Sequence, residues 1–439
     1  MRKLASVIVV IIAIGFTTCS QRFIDDLFVF PFTPKRHVIF LKPTFIAPLV
    51  SDTSIYSKSK VDQKFARTMK KEEVRKFMLS QHRLTIDTSQ IMVDAIVACV
   101  AVIDSLKADS LEMDTNRIVF ASRDVCIQGR PIQQGRPIQQ GSVNEVVARQ
   151  EWNLRRRAGH YVSCAVDEAG GVVDGSSRTS MIWIVDTGIA TDNPWLNVNT
   201  SYAQNFTVSP PSPNAYDDNG HGTIVAGIAA SKTIRLNPFM RICAGMSAGA
   251  TVVPIKVLDA TGSGYWSYII EGLNYIVSTG RANDVVNLSL GDFPITDCRS
   301  EVTGLEIVLQ TVAARHYVVM ASGNGFGNVT TSLPGCFDES RMFTIASASC
   351  NHQCANYSNY GTSVDWLAVG TDVFSTYLKD TSTGNWTFAV CSGTSMSSAV
   401  ISGLIHSSGE PPHQGNAVWC GIYTPAGTTP PQPYYFGIR

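Results

Sequence analysis

The sequence predicts an α/β protein: a large domain on an open, mostly parallel sheet with helices on both faces, preceded by a small α+β unit. Three observations carry this. From about residue 141 onward, short β-rich runs alternate with helical stretches over about 300 residues. A glycine- and proline-bearing direct repeat separates that region from a differently patterned N-terminal third. Hydrophobic residues make up 44% of the chain and charged residues 16%, which favours a compact core over disorder.

The chain begins Met1-Arg2-Lys3, continues with an apolar run from Leu4 to Phe16 and closes that segment with small and polar residues from Thr17 to Ser20. This is the layout of a secretory signal peptide, so residues 1–20 are assigned as a cleaved leader and the chain as secreted. An N-terminal anchor helix is the other reading of this run. At about 13 residues it falls short of the roughly 20 that a spanning helix needs. A second apolar run, Ala95 to Ile103, lies between Asp94 and Asp104 and reads as a buried helix. No stable membrane span is expected.

Residues 21–126 form the small α+β unit, with strands expected at His37–Leu41, Arg83–Ile86 and Arg117–Ser122 and a helix at Ile91–Leu106. Residues 127–142 contain Gly129-Arg130-Pro131-Ile132-Gln133-Gln134 followed by the same six residues, and read as an exposed linker where proteases cut. Residues 143–439 form the main domain, with an atypical tail from about 407. Its expected strands are Ile182–Val185, Thr251–Leu258, Val285–Ser289, Tyr317–Ala321 and Met342–Ala346. Helices are expected at Gly222–Ala230, Trp266–Ser278 and Val302–Arg315, with another beginning at Ser395. In such folds, sites form at the carboxyl ends of the strands.

Lysine plus arginine equals aspartate plus glutamate at 35 each, so nucleic acid is not expected as a partner; the chain is expected to be a monomer. Eight of the eleven cysteines follow the linker, an even set that points to disulfides without revealing their pairing. Sequons at Asn199, Asn205, Asn287, Asn328, Asn356 and Asn385 agree with a secreted glycoprotein.

Asp186 ends the apolar run Ile182-Trp183-Ile184-Val185, where a carboxylate can be fixed and partly desolvated; taken alone, a strand-end aspartate is more often a turn residue. His221 lies between glycines at an expected helix start, where a neutral imidazole can accept a proton and a carboxylate would fix its tautomer. Ser395, in Ser392-Gly393-Thr394-Ser395-Met396, sits where the positive end of a helix favours developing negative charge, or serves as an N-cap. Asn324, in Ser322-Gly323-Asn324-Gly325, follows a strand and can donate its amide to an oxyanion, or simply make a turn. Together the residues occur in the order Asp, His, Asn, Ser, the chain order of the subtilisin arrangement of a catalytic triad.

On these residues, the segment from about 150 to 404 resembles the subtilisin superfamily, and within it the proteinase K-like branch. The resemblance is carried by Val185-Asp186-Thr187-Gly188, Asn219-Gly220-His221-Gly222-Thr223, Lys256-Val257-Leu258-Asp259, Ser289-Leu290-Gly291, Ser322-Gly323-Asn324, Ser358-Asn359-Tyr360-Gly361 and Gly393-Thr394-Ser395-Met396. It implies a subtilisin-like serine endopeptidase made as a zymogen and acting on protein or peptide substrates. Asp186, His221 and Ser395 would be its triad, and Asn324 its oxyanion donor. Ser289, Leu290, Gly291 and Gly323 would bind substrate, and Trp266 would line an apolar pocket. Asn287 would be buried and unglycosylated despite its sequon. No cofactor is required for the chemistry; Asp365 matches a position that binds calcium in the relatives, and reads equally as a surface-loop acid. Residues 21–126 would be the inhibitory propeptide, cut away near the repeat. Arg155-Arg156-Arg157 reads either as a processing site or as a solvated basic face.

Some positions depart from the family. Ile224 replaces a second histidine, and Ser397-Ser398-Ala399 replaces an alanine- and proline-containing run. After His406 the chain turns to Gly409-Glu410-Pro411-Pro412, where the family continues a longer helix, so apolar surface is expected to be uncovered behind Ser395. That keeps a catalytically silent binding protein as the alternative. A lipase or esterase is disfavoured, because its Ser, Asp, His order and G-x-S-x-G elbow are absent.

Overall fold

The computed structural model describes residues 153–439, with breaks at 158–159, 209–210, 238–239, 292–297, 299–302 and 419–433, and short stretches of residues 1–152. The leader and the strand expected at Arg83–Ile86 lie outside the described residues. The chain divides into two compact units: residues 1–128 with 263–267, and residues 129–262 with 268–439.

In the first unit, β1 (Lys35–Leu41), β2 (Ile91–Val93), β3 (Val97–Ile103) and β4 (Ile118–Arg123) form an antiparallel sheet in the order β2-β3-β1-β4. The helix expected over Ile91–Leu106, including the run Ala95–Ile103, is therefore corrected to two strands. A short apolar run does not distinguish strand from helix by itself, and Val97, Val100, Val102 and Ile103 are β-branched side chains that lose freedom in a helix. Farther along this unit, Cys126–Gln128 pairs antiparallel with Ser263–Tyr265.

The second unit is built on a sheet whose central strands are all parallel. These are β5 (Ile182–Asp186), β6 (Thr251–Lys256), β7 (Val285–Leu288), β8 (Tyr317–Ala321), β9 (Met342–Ala348) and β10 (Trp366–Val369), in the order β6-β5-β7-β8-β9-β10. Strands covered on both faces read as unbroken apolar runs, and β5 is buried at every residue. Ile182 and Ile184 join the main core cluster on one face, while Trp183 turns to the other and meets Tyr275 edge-on at 6.4 Å. Tyr275 belongs to α3 (Trp266–Thr279), in the series α1 (Cys164–Glu168), α2 (His221–Ala230), α3, α4 (Thr303–Ala313) and α5 (Thr394–Ser408).

Helices α2 and α5 are almost wholly buried. They meet where Gly403 lets the chains approach: a Cβ there would stand 2.5 Å from the Ala229 carbonyl oxygen. His406, near the end of α5, reaches the Ser180 carbonyl at 3.0 Å, just before β5 begins. Thr394, at its start, bonds Asn324, just past the end of β8. Helix α5 thus runs antiparallel to the strands, as α2 does from the Asp186 end of β5 to the Met246-to-Ile228 hydrogen bond at 2.9 Å. The two helix starts lie on the same edge of the sheet.

Beside this sheet, β11 (Val373–Lys379) and β12 (Trp386–Ser392) form a hairpin. Both copies of the repeat, read as linker, place two residues on β12: Gln133–Gln134 and Ile138–Gln139 pair antiparallel with it. Arg155 and Arg157 sit on a strand, Leu154–Arg157, paired with His160–Ser163, and both bind Asp167 of α1. The arginine run lies within a formed strand. Disulfides join Cys164 to Cys350 and Cys298 to Cys336. Among the described residues, no helix is long and apolar enough to cross a membrane.

The chain end corrects the expectation of uncovered apolar surface. Helix α5 stops at Gly409, whose left-handed conformation (φ 85°) closes it. Two further strands follow, β13 (His413–Val418) and β14 (Tyr434–Ile438), and β14 pairs parallel with β10 at Leu367–Phe436. Phe436 is 3% exposed within the main core, and Gly437 packs near Ile401 of α5. The tail covers the helix that the sequence left bare. Truncating Phe436 to alanine is expected to cost about 3–5 kcal/mol, read from urea unfolding; a loss under about 1 kcal/mol would mean the strand is not part of the core.

Candidate active site

Asp186 is the last residue of β5 and is fully buried. One oxygen, Oδ1, accepts the Thr187 N–H at 2.6 Å and faces His221 Nδ1 at 2.7 Å; Oδ2 has no partner among the described residues. His221 opens α2 at 6% exposure, with its Nε2 unpaired among the described residues. Burial alone would lower the histidine pKa, but the Asp186 charge and hydrogen bond outweigh it and hold the imidazole above its ordinary value. The flanking glycines have a steric cause. Gly220 is left-handed (φ 108°) against the Tyr377 ring, and a side chain at position 222 would strike the Gly188 backbone.

A residue to which sequence reading gave no role organises this junction. Asp217 is 1% exposed, and its Oδ1 accepts Thr187 Oγ1 at 2.9 Å, Asn219 N at 3.0 Å and Gly220 N at 2.8 Å. Its Oδ2 accepts the Thr223 N–H at 2.9 Å and hydroxyl at 2.6 Å, so it satisfies first-turn donors of α2 from four residues upstream. Thr187 Oγ1 in turn accepts the Gly222 N–H at 2.9 Å. Burial pushes the Asp217 carboxyl up despite these bonds. The signal was present: Asp217 heads the segment that ends in His221. Lys256, at the end of β6, is similarly buried and donates to Thr187 O, Leu258 O and Asp218 Oδ1 at 2.7, 2.8 and 2.7 Å.

Ser395 is the second residue of α5, 5% exposed, at a helix end whose first N–H groups lack intrahelical acceptors. Its hydroxyl donates to the Ser289 carbonyl at 3.2 Å. The structure therefore joins Asp186 to His221 and starts Ser395's helix on the same sheet edge, but the serine rotamer does not engage Nε2. Asn324 anchors that helix start, its Oδ1 accepting the Thr394 N–H at 2.9 Å and hydroxyl at 3.0 Å. With Oδ1 so committed, the Nδ2 donor is the end left to meet an oxyanion.

Gly323 is left-handed (φ 102°), and a Cβ there would lie 2.5 Å from Asn359 Nδ2. Asn359, quoted in the sequence only as part of a motif, holds the whole loop. Its Oδ1 accepts Gly325 N at 3.0 Å and Gly327 N at 2.9 Å, its Nδ2 donates to Ser322 O at 2.8 Å, and its N–H to Gly323 O at 2.9 Å. Ser289 follows β7, and its hydroxyl bonds Asn287 Oδ1, Ser398 and the Ser395 carbonyl rather than facing open space. Asn287 is buried, with its Nδ2 donating to Ser402 at 2.9 Å. Leu290 is 7% exposed, and a side chain at Gly291 would meet the Leu333 carbonyl.

Two further expected site residues complete the set. Trp266 opens α3 at 1% exposure, and its indole N–H has no acceptor among the described residues. Asp365 is half-buried immediately before β10, with Oδ2 accepting the Thr344 N–H at 2.7 Å. Burial first, and then Asp338, push its carboxyl up to about 7. Among the described residues no three or more His, Cys, Asp or Glu side chains gather to hold a metal.

A carboxyl raised from 3.8 to about 7 binds its proton in the folded state where the unfolded chain has lost it. Stability is therefore expected to fall as pH rises from about 4 to 7, and Asp365→Asn to flatten that slope in urea titrations. An equal slope in the variant would remove Asp365 as its source.

The subtilase family matches residues 177–406. A thermophilic serine proteinase of Bacillus sp. (strain AK1) is 34% identical over 238 residues, covering 54% of this chain and 54% of that protein. Thermitase of Thermoactinomyces vulgaris is 32% identical over 246 residues, 55% of this chain and 80% of that protein. Proteinase T of Parengyodontium album is 29% identical over 278 residues, 60% and 82% respectively. The match thus spans about half the length of the first relative and about four-fifths of the other two. With a family match covering the strands and helices that carry Asp186, His221, Asn324 and Ser395, the chain belongs to the subtilase family.

Proposed function

We propose that the chain is a secreted serine endopeptidase of the proteinase K-like branch, made as a zymogen, acting as a monomer on protein substrates. The observation that carries this reading is the 2.7 Å contact between buried Asp186 and His221 Nδ1, which leaves Nε2 as the unpaired base. In the reaction, Ser395 Oγ turns from the Ser289 carbonyl, gives its proton to Nε2 and bonds to the substrate carbonyl carbon. Asn324 Nδ2 and the Ser395 N–H hold the oxyanion. His221 then protonates the leaving amine, and water, activated by the same imidazole, releases the acyl group. Residues 21–126 act as an inhibitory propeptide, a reading supported by the pairing of Cys126–Gln128 with Ser263–Tyr265 as an added strand. Residues 1–20 direct secretion.

A serine-directed fluorophosphonate is expected to label the processed protein and to fail on Ser395→Ala. Absence of labelling on a folded, processed sample would overturn the peptidase in favour of a silent binding protein. Asn324→Ala is expected to lower kcat by about 10²–10³, the range known for the corresponding donor of subtilisin. Because the reaction needs neutral His221 and its pKa lies above 6.5, the acid limb of kcat/KM should have its midpoint above that value. A midpoint below 6.5 would contradict the role given to Asp186.

A further inference from the structure

Resting on the peptidase reading above, we propose that Tyr434, on the C-terminal strand β14, is a positioning residue for the loop carrying Asn324, acting through Gly361. Its hydroxyl accepts the Gly361 N–H at 2.8 Å and donates to the Gly361 carbonyl at 3.3 Å, so it grips both backbone groups of one residue. Gly361 has φ 137°, and a Cβ there would stand 2.7 Å from Asn328 Oδ1. No side chain fits at that point, and a hydroxyl from elsewhere in the fold supplies the hold.

Gly361 closes the segment 357–361, which is laced along the oxyanion loop. Phe326 N donates to Tyr357 O at 2.9 Å, Tyr360 N to Gly327 O at 3.0 Å and Val329 N to Tyr360 O at 2.7 Å, beside the Asn359 bonds to residues 322–327. The loop itself contains Gly323, Gly325 and Gly327, which leave its backbone little intrinsic preference. Its shape is imposed by its neighbour, and the neighbour's far end is imposed by Tyr434. Asn324 then passes that position to the start of α5 through Thr394.

The experiment compares Tyr434→Phe, Asn324→Ala and the double variant on a chromogenic peptide, with amide hydrogen exchange on each. Phenylalanine keeps the ring and its packing, so only the hydroxyl is tested. Tyr434→Phe is expected to lower kcat about three- to tenfold with KM changed less than about twofold, and to add nothing in the Asn324→Ala background. Amides of Gly361 and residues 325–329 should exchange faster. Arg439→Ala, at the other end of the strand where Arg439 bonds the Gly170 carbonyl, should leave kcat unchanged. Unchanged kcat and exchange in Tyr434→Phe, or an equal loss in the Asn324→Ala background, would overturn the proposal. A wild type that fluorophosphonate does not label fails the peptidase reading instead, and the exchange comparison still decides what Tyr434 holds.

Discussion

The site depends on one desolvated contact, Asp186 Oδ1 to His221 Nδ1 at 2.7 Å. A buried carboxylate is costly unless it is paired, and an imidazole beside it is held above its ordinary pKa only while the pairing persists. The surrounding structure therefore serves to keep a strand end and a helix start in register. Asp217 does most of this, because one carboxylate ties the first turn of α2 to Thr187, the residue after Asp186. Glycines at 220 and 222 allow the close approach that this tie demands.

A second arrangement supports the serine. Asn287, Ser289, Ser398 and Ser402 form a buried hydrogen-bonded group beneath Ser395. Each member finds a partner, which is the condition under which buried polar groups hold a shape instead of weakening it. The Asn287 sequon lies inside this group, so its side chain is committed to the core.

Most elements of the main domain were legible from local pattern. Buried parallel strands leave continuous apolar runs, and the expected Tyr317–Ala321 coincides with β8. The short run Ala95–Ile103 misled because periodicity over so few residues does not separate helix from strand; its antiparallel partners β1 and β2 decide it. The chain end misled for another reason. Strand β14 follows an unusual proline-rich stretch, and only its pairing with β10 reveals that it covers α5.

The sequence by itself determined which chemical groups are available, their order along the chain and their places at strand and helix ends, because apolar period and turn residues are local properties. Tertiary structure decided who meets whom: Asp186 with His221, Asn324 with Thr394, Asp217 with Thr187, Tyr434 with Gly361. It also decided that the Ser395 hydroxyl rests on the Ser289 carbonyl. Hydrogen-bond partners separated by tens of residues are chosen by the packing of whole elements, and no local pattern in the chain encodes that choice.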